Sequence, residues 1–234
     1  MNPYVRINEC VEERLTMKTI KISNNVIRRM PRYLRKLDEL SAAGVERISS
    51  NELGRQLGLT PSQIRQDFSC FGEFGQQGYG YNVNYLFTKI SEILGVGEGY
   101  RGVIIGAGNL GKALVRNRMF ERRGVDIVAM FDIDQNVIGK EYGGARVLDM
   151  EELKVFCERT PVDIAVLTLP KSVADDTIPL LEDAGIRGIW NFTGKELKFS
   201  DDTVCEDVYL GDSLMTLCYE LRTRGNLSKD DTEI

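Results

Sequence analysis

The chain has 234 residues, 42% of which are hydrophobic, and it carries a net charge of −5. This length allows one large domain or two modest ones, and the composition is that of a globular protein. No apolar run reaches the ~18 residues of a transmembrane helix, and no signal-peptide core is evident near the start of the chain. We therefore predict a cytoplasmic protein.

The sequence contains five scattered cysteines and no histidine. No two cysteines form a Cys-x-x-Cys pair, so we expect reduced thiols and no metal site. Histidine is also the acid or base that dehydrogenases use most often, because its pKa lies near the working pH. Its absence argues against an enzyme, although a tyrosine or a lysine could take that role.

The charge is divided unevenly along the chain. Residues 1–95 contain 13 basic and 10 acidic side chains, whereas residues 96–234 contain 17 basic and 25 acidic ones. The positive first part favours a polyanionic partner such as DNA. Because the excess is small, this interpretation depends on the motifs that follow.

Two helix starts joined by a tight turn predict a helix-turn-helix. Ser49 and Glu52 match a capping box at the first start. Thr60 and Gln63 match a second one, and Gly58 between them tolerates the positive φ of a tight turn. The second helix exposes polar side chains over its first two turns, the part with which recognition helices read base edges. Alone, such a pair is equally typical of a solvated helical hairpin.

A glycine-rich stretch with aromatic residues follows at residues 70–83. It suits a β-hairpin, the wing of a winged helix, with Gln76 and Gln77 at a tip that could enter a minor groove; a plain loop is the alternative. We predict that double-stranded DNA is bound by residues of these helices and of the wing. They are Arg29, Ser49, Ser50, Thr60, Ser62, Gln63, Arg65, Gln66, Gln77 and Tyr79.

A glycine motif lies between a short buried strand pattern at residues 103–105 and an amphipathic helix pattern at residues 112–120. It reads Gly106-Ala107-Gly108-Asn109-Leu110-Gly111, a GxGxxG motif in the setting of dinucleotide-binding folds. The first glycine permits the tight turn, the second lets the backbone approach a pyrophosphate, and the third allows the helix to pack on the sheet. The amides at the helix start favour the phosphate charge.

A carboxylate supports the same interpretation. Asp132 ends the next strand pattern, 21 residues past Gly111, near the expected spacing of ~20. It would accept hydrogen bonds from ribose hydroxyls and repel a 2′-phosphate, which favours NAD(H) over NADP(H); a simple turn residue is the alternative. Later strand patterns also end in residues expected to line the site. The predicted cofactor-binding residues are Gly106, Ala107, Gly108, Asn109, Leu110, Gly111, Asp132, Ile133, Thr168, Pro170, Asn191 and Phe192.

The last predicted helix is unusually apolar, with leucines at positions 210, 214, 217 and 221. A single helix of this kind needs a surface to cover, either its own sheet or a partner subunit. Helix-turn-helix proteins usually read two half-sites through two-fold symmetry, so we predict a homodimer.

These patterns predict an α/β fold with an N-terminal winged helix-turn-helix plus a C-terminal Rossmann-like NAD-binding domain. Residues 81–95 are predicted to form a connecting helix. The predicted boundaries are 1–22 for an N-terminal arm, 23–85 for the winged helix, 86–209 for the Rossmann domain, 210–225 for the C-terminal helix and 226–234 for a flexible tail.

The whole pattern resembles the Rex family of bacterial redox-sensing repressors, from about residue 22 to residue 221. The matching segments are RYLRKLDEL, SSNELGRQLGLTPSQIRQDFSCFGEFGQQGYGY, the glycine motif with FDID, VLTLP and NF. The resemblance implies a homodimer whose C-terminal helix swaps into its partner and which binds an inverted-repeat operator when NADH is low. NADH would close the dimer and release the DNA. The resemblance also implies that Arg35 links the reading head to the nucleotide domain.

The sequence departs from the family pattern at four positions. Gln66 replaces a lysine of the recognition helix, and Gln77 replaces the usual basic residue of the wing tip, which predicts a shifted operator preference. Asn117 and Tyr209 stand where the family usually has a tyrosine and an aspartate that pair across the dimer. We therefore hypothesise weak discrimination between NAD⁺ and NADH.

Three other interpretations remain open at this stage. An NAD-dependent dehydrogenase with a helical appendage would need an acid or base, for which only Lys171 and Tyr209 are candidates. A CoA-binding module would leave Asp132 without an obvious role. A structural DNA-binding dimer would have an empty nucleotide fold.

Overall fold

The computed structural model describes residues 22–70, 75–76, 79–117 and 119–230, in two compact units that divide between Val96 and Gly97. The predicted arm lies outside these residues except for Ile22. Among the described helices, none combines the length and the apolar character needed to cross a membrane.

The first unit is a bundle of helices with a small antiparallel sheet. The strand order in that sheet is β1-β3-β2. The elements are α1 (Asn24–Ala42), β1 (Arg47–Ile48), α2 (Ser50–Leu57), α3 (Pro61–Ser69), β2 (Gly75–Gln76), β3 (Gly80–Asn82) and α4 (Val83–Ile93). A helix-turn-helix followed by a β-hairpin wing is thus present, as predicted.

Helices α1 and α4 build the core of this unit. Helix α1 buries one stripe at helical spacing, and α4 buries Leu86 and Ile90 in the same cluster. The helix predicted to connect the domains therefore belongs to the first unit, and the predicted border at residues 85 and 86 falls within α4. The buried side chains of α1 are Val26, Met30, Tyr33, Leu34 and Leu37.

The turn between α2 and α3 depends on two glycines. Gly58 has a φ of 66°, in the left-handed region that the prediction required. The Leu59 amide donates to the Gly54 carbonyl at 2.9 Å. A Cβ atom on Gly54 would lie 2.6 Å from the Leu59 carbonyl oxygen. The turn can therefore cross over α2 only because position 54 has no side chain.

The second unit is a seven-stranded sheet covered by helices. The strand order is β10-β9-β8-β4-β5-β7-β6, and all pairs are parallel except β6 with β7. Its elements are β4 (Tyr100–Ile105), α5 (Asn109–Arg116), α6 (Met119–Arg122), β5 (Val125–Asp132), β6 (Glu141–Tyr142), β7 (Ala145–Asp149), α7 (Leu153–Arg159), β8 (Ile164–Leu167), α8 (Ile178–Asp183), β9 (Gly188–Asn191), β10 (Val204–Asp207) and α9 (Leu210–Asp230), with short 3₁₀ turns at Met150–Glu152, Lys171–Val173 and Asp175–Thr177.

The order of these strands positions a ligand crevice. The chain leaves β4 towards β5 and β7, and then returns to add β8, β9 and β10 on the other side of β4. Two hydrophobic clusters cover the opposite faces of this sheet. In doubly wound sheets, ligands bind at the carboxyl ends of the strands where the direction reverses, here β4 and β8. The predicted fold class is confirmed.

One helix prediction in this unit was wrong in extent, and one segment is irregular. The irregular segment runs over residues 171–183 as 3₁₀ turns followed by α8, because Pro179 lies in the first turn of α8 and cannot continue a preceding helix. Helix α9 continues to Asp230, so residues 226–230 are helical and not part of a flexible tail. No proline interrupts this helix, and Gly225 lowers its propensity by about 1 kcal/mol without ending it.

The turn packing leads to a testable expectation. Gly54→Ala should lower the free energy of unfolding by about 1–3 kcal/mol, because the new methyl group must displace backbone. Alanine has the higher helix propensity, so without this clash the substitution would be stabilising. The exposed Asn51→Ala in the same helix is the control and should change stability little. Urea unfolding followed by circular dichroism checks both; an unchanged midpoint for Gly54→Ala would contradict the packing.

Candidate nucleic-acid and nucleotide sites

Side-chain caps fix the start of both helices of the helix-turn-helix. Ser49 Oγ accepts a hydrogen bond from the Glu52 amide at 3.1 Å, and Thr60 Oγ1 accepts one from the Gln63 amide at 3.2 Å. The return half of each predicted capping box is absent. The Glu52 carboxylate accepts from Arg55 and Gln56 instead, and the Gln63 side chain donates to Asp67.

The exposed edge of α3 carries the polar side chains predicted to contact DNA. Ser62, Arg65 and Gln66 are exposed, and Gln63 is half-buried. The Arg65 guanidinium donates to Ser50 Oγ at 3.0 Å and to Ser62 Oγ at 3.3 Å. It therefore bridges the first turns of α2 and α3. A cation and several hydroxyl groups thus surround two helix N-termini, whose free amides favour phosphate.

The wing is attached to this surface by a residue that the sequence did not single out. Arg47 Nη1 donates to the Tyr79 carbonyl at 3.0 Å, and β1 pairs with β3 through Arg47 opposite Asn82. Tyr79 is 70% exposed. Gln77 lies outside the described residues. A two-residue strand such as β1 has no periodicity, so no sequence signal marks Arg47.

A buried ionic cluster lies behind the recognition helix. Asp67 is fully buried, and its carboxylate accepts from Arg29 Nε and Nη2 at 2.7 Å each, from Tyr33 Oη at 2.7 Å and from Gln63 Nε2 at 2.8 Å. Arg29, predicted to contact DNA, is thus engaged within its own unit. The sequence predicts an amphipathic α1 but gives no sign of this pairing across 38 residues.

The cluster keeps the carboxylate ionised. Burial alone would raise the pKa of Asp67, but the hydrogen bonds from Arg29, Tyr33 and Gln63 outweigh it and lower the pKa below its ordinary value. Burial and the Asp67 carboxylate both raise the pKa of Tyr33. The stability that a lowered carboxyl pKa contributes is present above the unfolded-state value of ~3.9 and is lost as the pH falls through the folded value.

The glycine motif forms a tight turn at the carboxyl end of β4. Gly106 has a φ of 101°, and its amide donates to the Phe131 carbonyl at 2.8 Å. A Cβ atom on Gly111 would lie 2.2 Å from the Gly106 carbonyl oxygen, so α5 packs directly on the turn. A Cβ atom on Gly108 would meet nothing within 4 Å. The backbone is thus open at the position predicted to approach a pyrophosphate.

Two side chains from neighbouring strands hold this turn. Asp132 Oδ2 accepts from the Ala107 amide at 2.6 Å, while Oδ1 accepts from the amides of Ile133 and Asp134 at 2.8 and 3.0 Å. Thr168 Oγ1 donates to the Gly106 carbonyl at 2.7 Å. Both residues therefore lie where the sequence placed them. Their hydrogen bonds to the turn were not predicted.

The other predicted cofactor residues differ in what they offer a ligand. Asn109 and Pro170 are exposed, Leu110 is half-buried, and Ile133 is 77% exposed beside Asp132. These residues follow β5 or β8 or begin the helix after β4. An apolar side chain as exposed as that of Ile133 is suited to pack against a flat ring.

Asn191 has a different environment from the one expected. Its Nδ2 donates to the Lys195 carbonyl and to Asp207 Oδ1, both at 2.7 Å. Its Oδ1 accepts from the amide and the hydroxyl of Thr193 at 3.0 and 2.7 Å. An amide with all these groups engaged has no hydrogen bond left for a nicotinamide. We therefore correct its expected role to one of holding residues 193–195 beside β10.

Aromatic packing surrounds Phe192. Its ring contacts Trp190 edge-on with centroids 4.7 Å apart, and Trp190 meets Phe120 at 5.8 Å. Phe192 itself is half-buried. One side of this ring therefore packs in the core of the unit.

A short hairpin supports α5 from the side. The Tyr142 ring lies beneath two cations of α5, with Lys112 Nζ 4.9 Å and Arg116 Cζ 5.5 Å from its centroid. A Cβ atom on Gly143 would lie 2.6 Å from the Val115 carbonyl oxygen. This hairpin of β6 and β7 is a contact that the sequence analysis missed.

The residues implied to form the switch are all exposed. Arg35 lies on α1 in the first unit. Asn117 follows α5 and accepts a hydrogen bond from the Met119 amide at 3.0 Å. Tyr209 precedes α9 and is 43% exposed.

The two glycines of the turn should respond differently to substitution. Gly111→Ala is expected to lower the free energy of unfolding by about 1–3 kcal/mol, since its methyl group would collide with backbone. Gly108→Ala should stay within about 1 kcal/mol of the original chain, because position 108 has an ordinary φ of −74° and open space. Fluorescence of Trp190, the single tryptophan, reports both unfolding curves. Equal losses would disprove the packing described.

Two family models match the chain. The model described as "Putative DNA-binding protein N-terminus" covers residues 21–69, and the model described as "CoA binding domain" covers residues 98–194. They fall on the helix-turn-helix unit and on the doubly wound sheet, respectively.

The chain is also similar to solved structures. One is RSP in complex with β-NAD⁺ and operator DNA, at 45% identity and a TM-score of 0.81, covering 91% of this chain and 98% of that one. Another is RSP in complex with β-NADH, at 42% identity and a TM-score of 0.82, covering 89% and 98%.

Curated relatives complete the comparison. The chain is 44% identical over 207 residues to the redox-sensing transcriptional repressor Rex of Caldicellulosiruptor saccharolyticus, covering 88% of this chain and 94% of the relative. It is 47% identical over 204 residues to Rex of Thermoanaerobacter pseudethanolicus, covering 87% and 91%. These relatives are named as repressors and not as enzymes. Since the similarity extends over nearly the whole of each chain, this chain belongs to the Rex family of redox-sensing transcriptional repressors.

Proposed function

We propose that this chain represses transcription by binding operator DNA through α3 and the wing, and that NAD(H) bound at the glycine turn controls that binding. The main support is that one chain contains both features. The helix-turn-helix has an exposed edge with a cation, and the doubly wound sheet has an open backbone at Gly108. The similar RSP structure is described with both β-NAD⁺ and operator DNA.

The DNA contacts follow from the exposed edge of α3. The amides at the start of α2 and α3 and the Arg65 guanidinium would bind phosphates, which position the protein without reading sequence. Gln66 would enter the major groove, where a glutamine pairs best with adenine. Tyr79 of the wing would lie in or beside the minor groove. Since such a regulator works on chromosomal DNA, we also propose a cytoplasmic location.

The nucleotide would bind across the carboxyl ends of β4 and β8. Its pyrophosphate would approach Gly108 and the start of α5, where the helix amides favour negative charge. Asp132 Oδ2 accepts only the Ala107 amide among the described residues, so it can accept a ribose hydroxyl as well. Ile133 would pack on the adenine ring. The Asp132 carboxylate would repel a 2′-phosphate, which favours NAD(H) over NADP(H).

The Asp132 carboxylate also bears on the match to a CoA-binding model. CoA carries a phosphate on its adenosine ribose, and a carboxylate at the end of β5 would be a poor neighbour for that group. We therefore propose NAD(H) as the ligand and regard the model match as one of fold. The dehydrogenase interpretation is not favoured, because the relatives are named as repressors.

We propose a homodimer formed through α9. Side chains 210–223 of this helix are all exposed, and they include Leu210, Leu214, Met215, Leu217, Tyr219 and Leu221. An apolar stripe of this size on an exposed helix marks a surface that another subunit covers. Two-fold symmetry would then present two α3 helices to an inverted-repeat operator.

NAD(H) can control DNA binding only if its affinity differs between the DNA-bound form and the released form of the protein. NADH releases DNA only if it binds the released form better than the DNA-bound form, and the linkage is reciprocal. Asn117 and Tyr209 replace a pair that the family uses near the nicotinamide. The nicotinamide end of the nucleotide therefore lacks the side chains expected to contact it. As a result, NADH and NAD⁺ should differ less in their ability to release the DNA.

Titration of the protein–operator complex with each nucleotide tests the proposal. We expect nucleotide to release the DNA with a selectivity for NADH over NAD⁺ below about 5-fold, the low end of ordinary coupling. The double variant Asn117→Tyr with Tyr209→Asp should raise that selectivity. Gly108→Ala is the control; it should bind operator normally and respond to neither nucleotide, because its methyl group obstructs the pyrophosphate.

The possible results separate the parts of the proposal. Strong and selective release by NADH from the unmodified chain would contradict the altered switch alone. Failure to select any operator from random duplexes would contradict the repressor function.

The dimer can be tested by sedimentation. Leu214→Glu with Leu217→Glu should convert dimers to monomers and weaken operator binding, because buried charge is costly and two half-sites are no longer bound together. Glu220→Gln on the same exposed helix is the control and should remain dimeric. A double variant that sediments as the unmodified chain does would rule out α9 as the interface.

A further inference from the structure

We infer that Asp67 positions the recognition helix by binding Arg29 of α1 and Gln63 of α3, so that Gln63 and Arg29 contribute to operator recognition without contacting bases. This inference rests on the proposed DNA-binding function. It divides the polar side chains of α3 into one that reads sequence, Gln66, and one that holds the helix, Gln63.

The hydrogen bonds of Asp67 leave its carboxylate no capacity for further donors. Oδ2 accepts from Arg29 Nε and from Tyr33 Oη, and Oδ1 accepts from Arg29 Nη2 and from Gln63 Nε2, all at 2.7–2.8 Å. A carboxylate offers about four lone-pair directions, and all of them are used. The bidentate arginine fixes direction as well as distance.

Turning the Gln63 side chain towards DNA would cost free energy. A bidentate contact with adenine requires both the oxygen and an N–H of the amide to face the base edge. Turning the amide outward would break its 2.8 Å bond to Asp67 and leave a buried carboxylate oxygen short of a donor. Gln63 is therefore best satisfied where it is, one helical turn before Asp67 on the inward side of α3.

Gln66 is in the opposite situation. It is exposed, and its side chain makes no hydrogen bond to another residue in the described part of the chain. Its amide thus has no bond to the described residues that it would lose on meeting a base. Of the two glutamines in α3, only Gln66 combines exposure with an unengaged amide.

Positioning matters because α3 is short. Its nine residues bury Ile64 and Phe68, and apolar contacts are less directional than hydrogen bonds. Asp67 lies beside them on the same buried face. Its link to Arg29 ties that rotation to α1. If the link is lost, the side chain of Gln66 shifts relative to the groove, and every operator should be bound less well.

Selection from random duplexes, followed by affinity measurement, tests this division with Gln63→Ala and Gln66→Ala. Gln63→Ala should enrich the same consensus as the unmodified chain and bind it at least about tenfold more weakly. Gln66→Ala should lose preference at a single base pair in each half-site. A change of preference at one base pair in Gln63→Ala, or unchanged affinity, would overturn the inference.

Salt dependence supplies a second readout for Arg29. If Arg29 bound a phosphate, Arg29→Gln would reduce the slope of log affinity against log salt by about 1. Positioning through Asp67 predicts weaker binding with the slope unchanged, whereas the exposed control Arg65→Gln should reduce the slope. A reduced slope in Arg29→Gln would overturn the inference for that residue.

Asp67→Asn completes the test at a temperature where circular dichroism shows it folded. It should bind operator at least about tenfold more weakly with the same consensus. Binding at full affinity would assign the cluster to stability alone and overturn the inference. If Asp67→Asn does not fold, Gln63→Ala and Arg29→Gln decide. An unmodified chain that enriches no duplex would instead overturn the proposed function, and the inference with it.

Discussion

The nucleotide site depends on one close approach between two backbones. Helix α5 can begin directly beside the turn after β4 only because Gly111 has no side chain above the Gly106 carbonyl. The Thr168 hydroxyl donates to the same carbonyl, so the end of β8 is joined to the turn. As a result, the first amides of α5 face the space in front of the sheet. An anion placed there meets a helix N-terminus and an open backbone at Gly108.

Much of this arrangement was predictable because its signals are local. The glycines of the two turns and the side-chain caps at two helix starts act within a few residues of their own position, and the carboxylate at the end of the next strand follows the glycines at a fixed spacing. The structure accordingly has Gly58 in a left-handed turn, Ser49 and Thr60 as caps, and Asp132 at the turn. Local sequence patterns record constraints of this kind directly.

The unpredicted features join residues that are far apart in the chain. Arg29 meets Asp67, and Arg47 meets the carbonyl of Tyr79, through contacts that exist only after the helices have packed. Asn191 was expected to face a cofactor because it ends a strand, but the following loop and Asp207 of β10 use all the hydrogen bonds of its side chain. Composition and periodicity carry no information about such pairings. They can be recognised only from the packed structure.

An unpaired helix such as α9 has a consequence for how a repressor responds to its own abundance. The apolar stripe of α9 is exposed within its own chain. In the proposed dimer it is therefore buried only while the two subunits remain together. Below the dissociation constant of the dimer, the amount of assembled protein falls with the square of the subunit concentration. Occupancy of a palindromic site would then change more steeply than the expression level, and dilution at cell division would itself act as a derepressing signal.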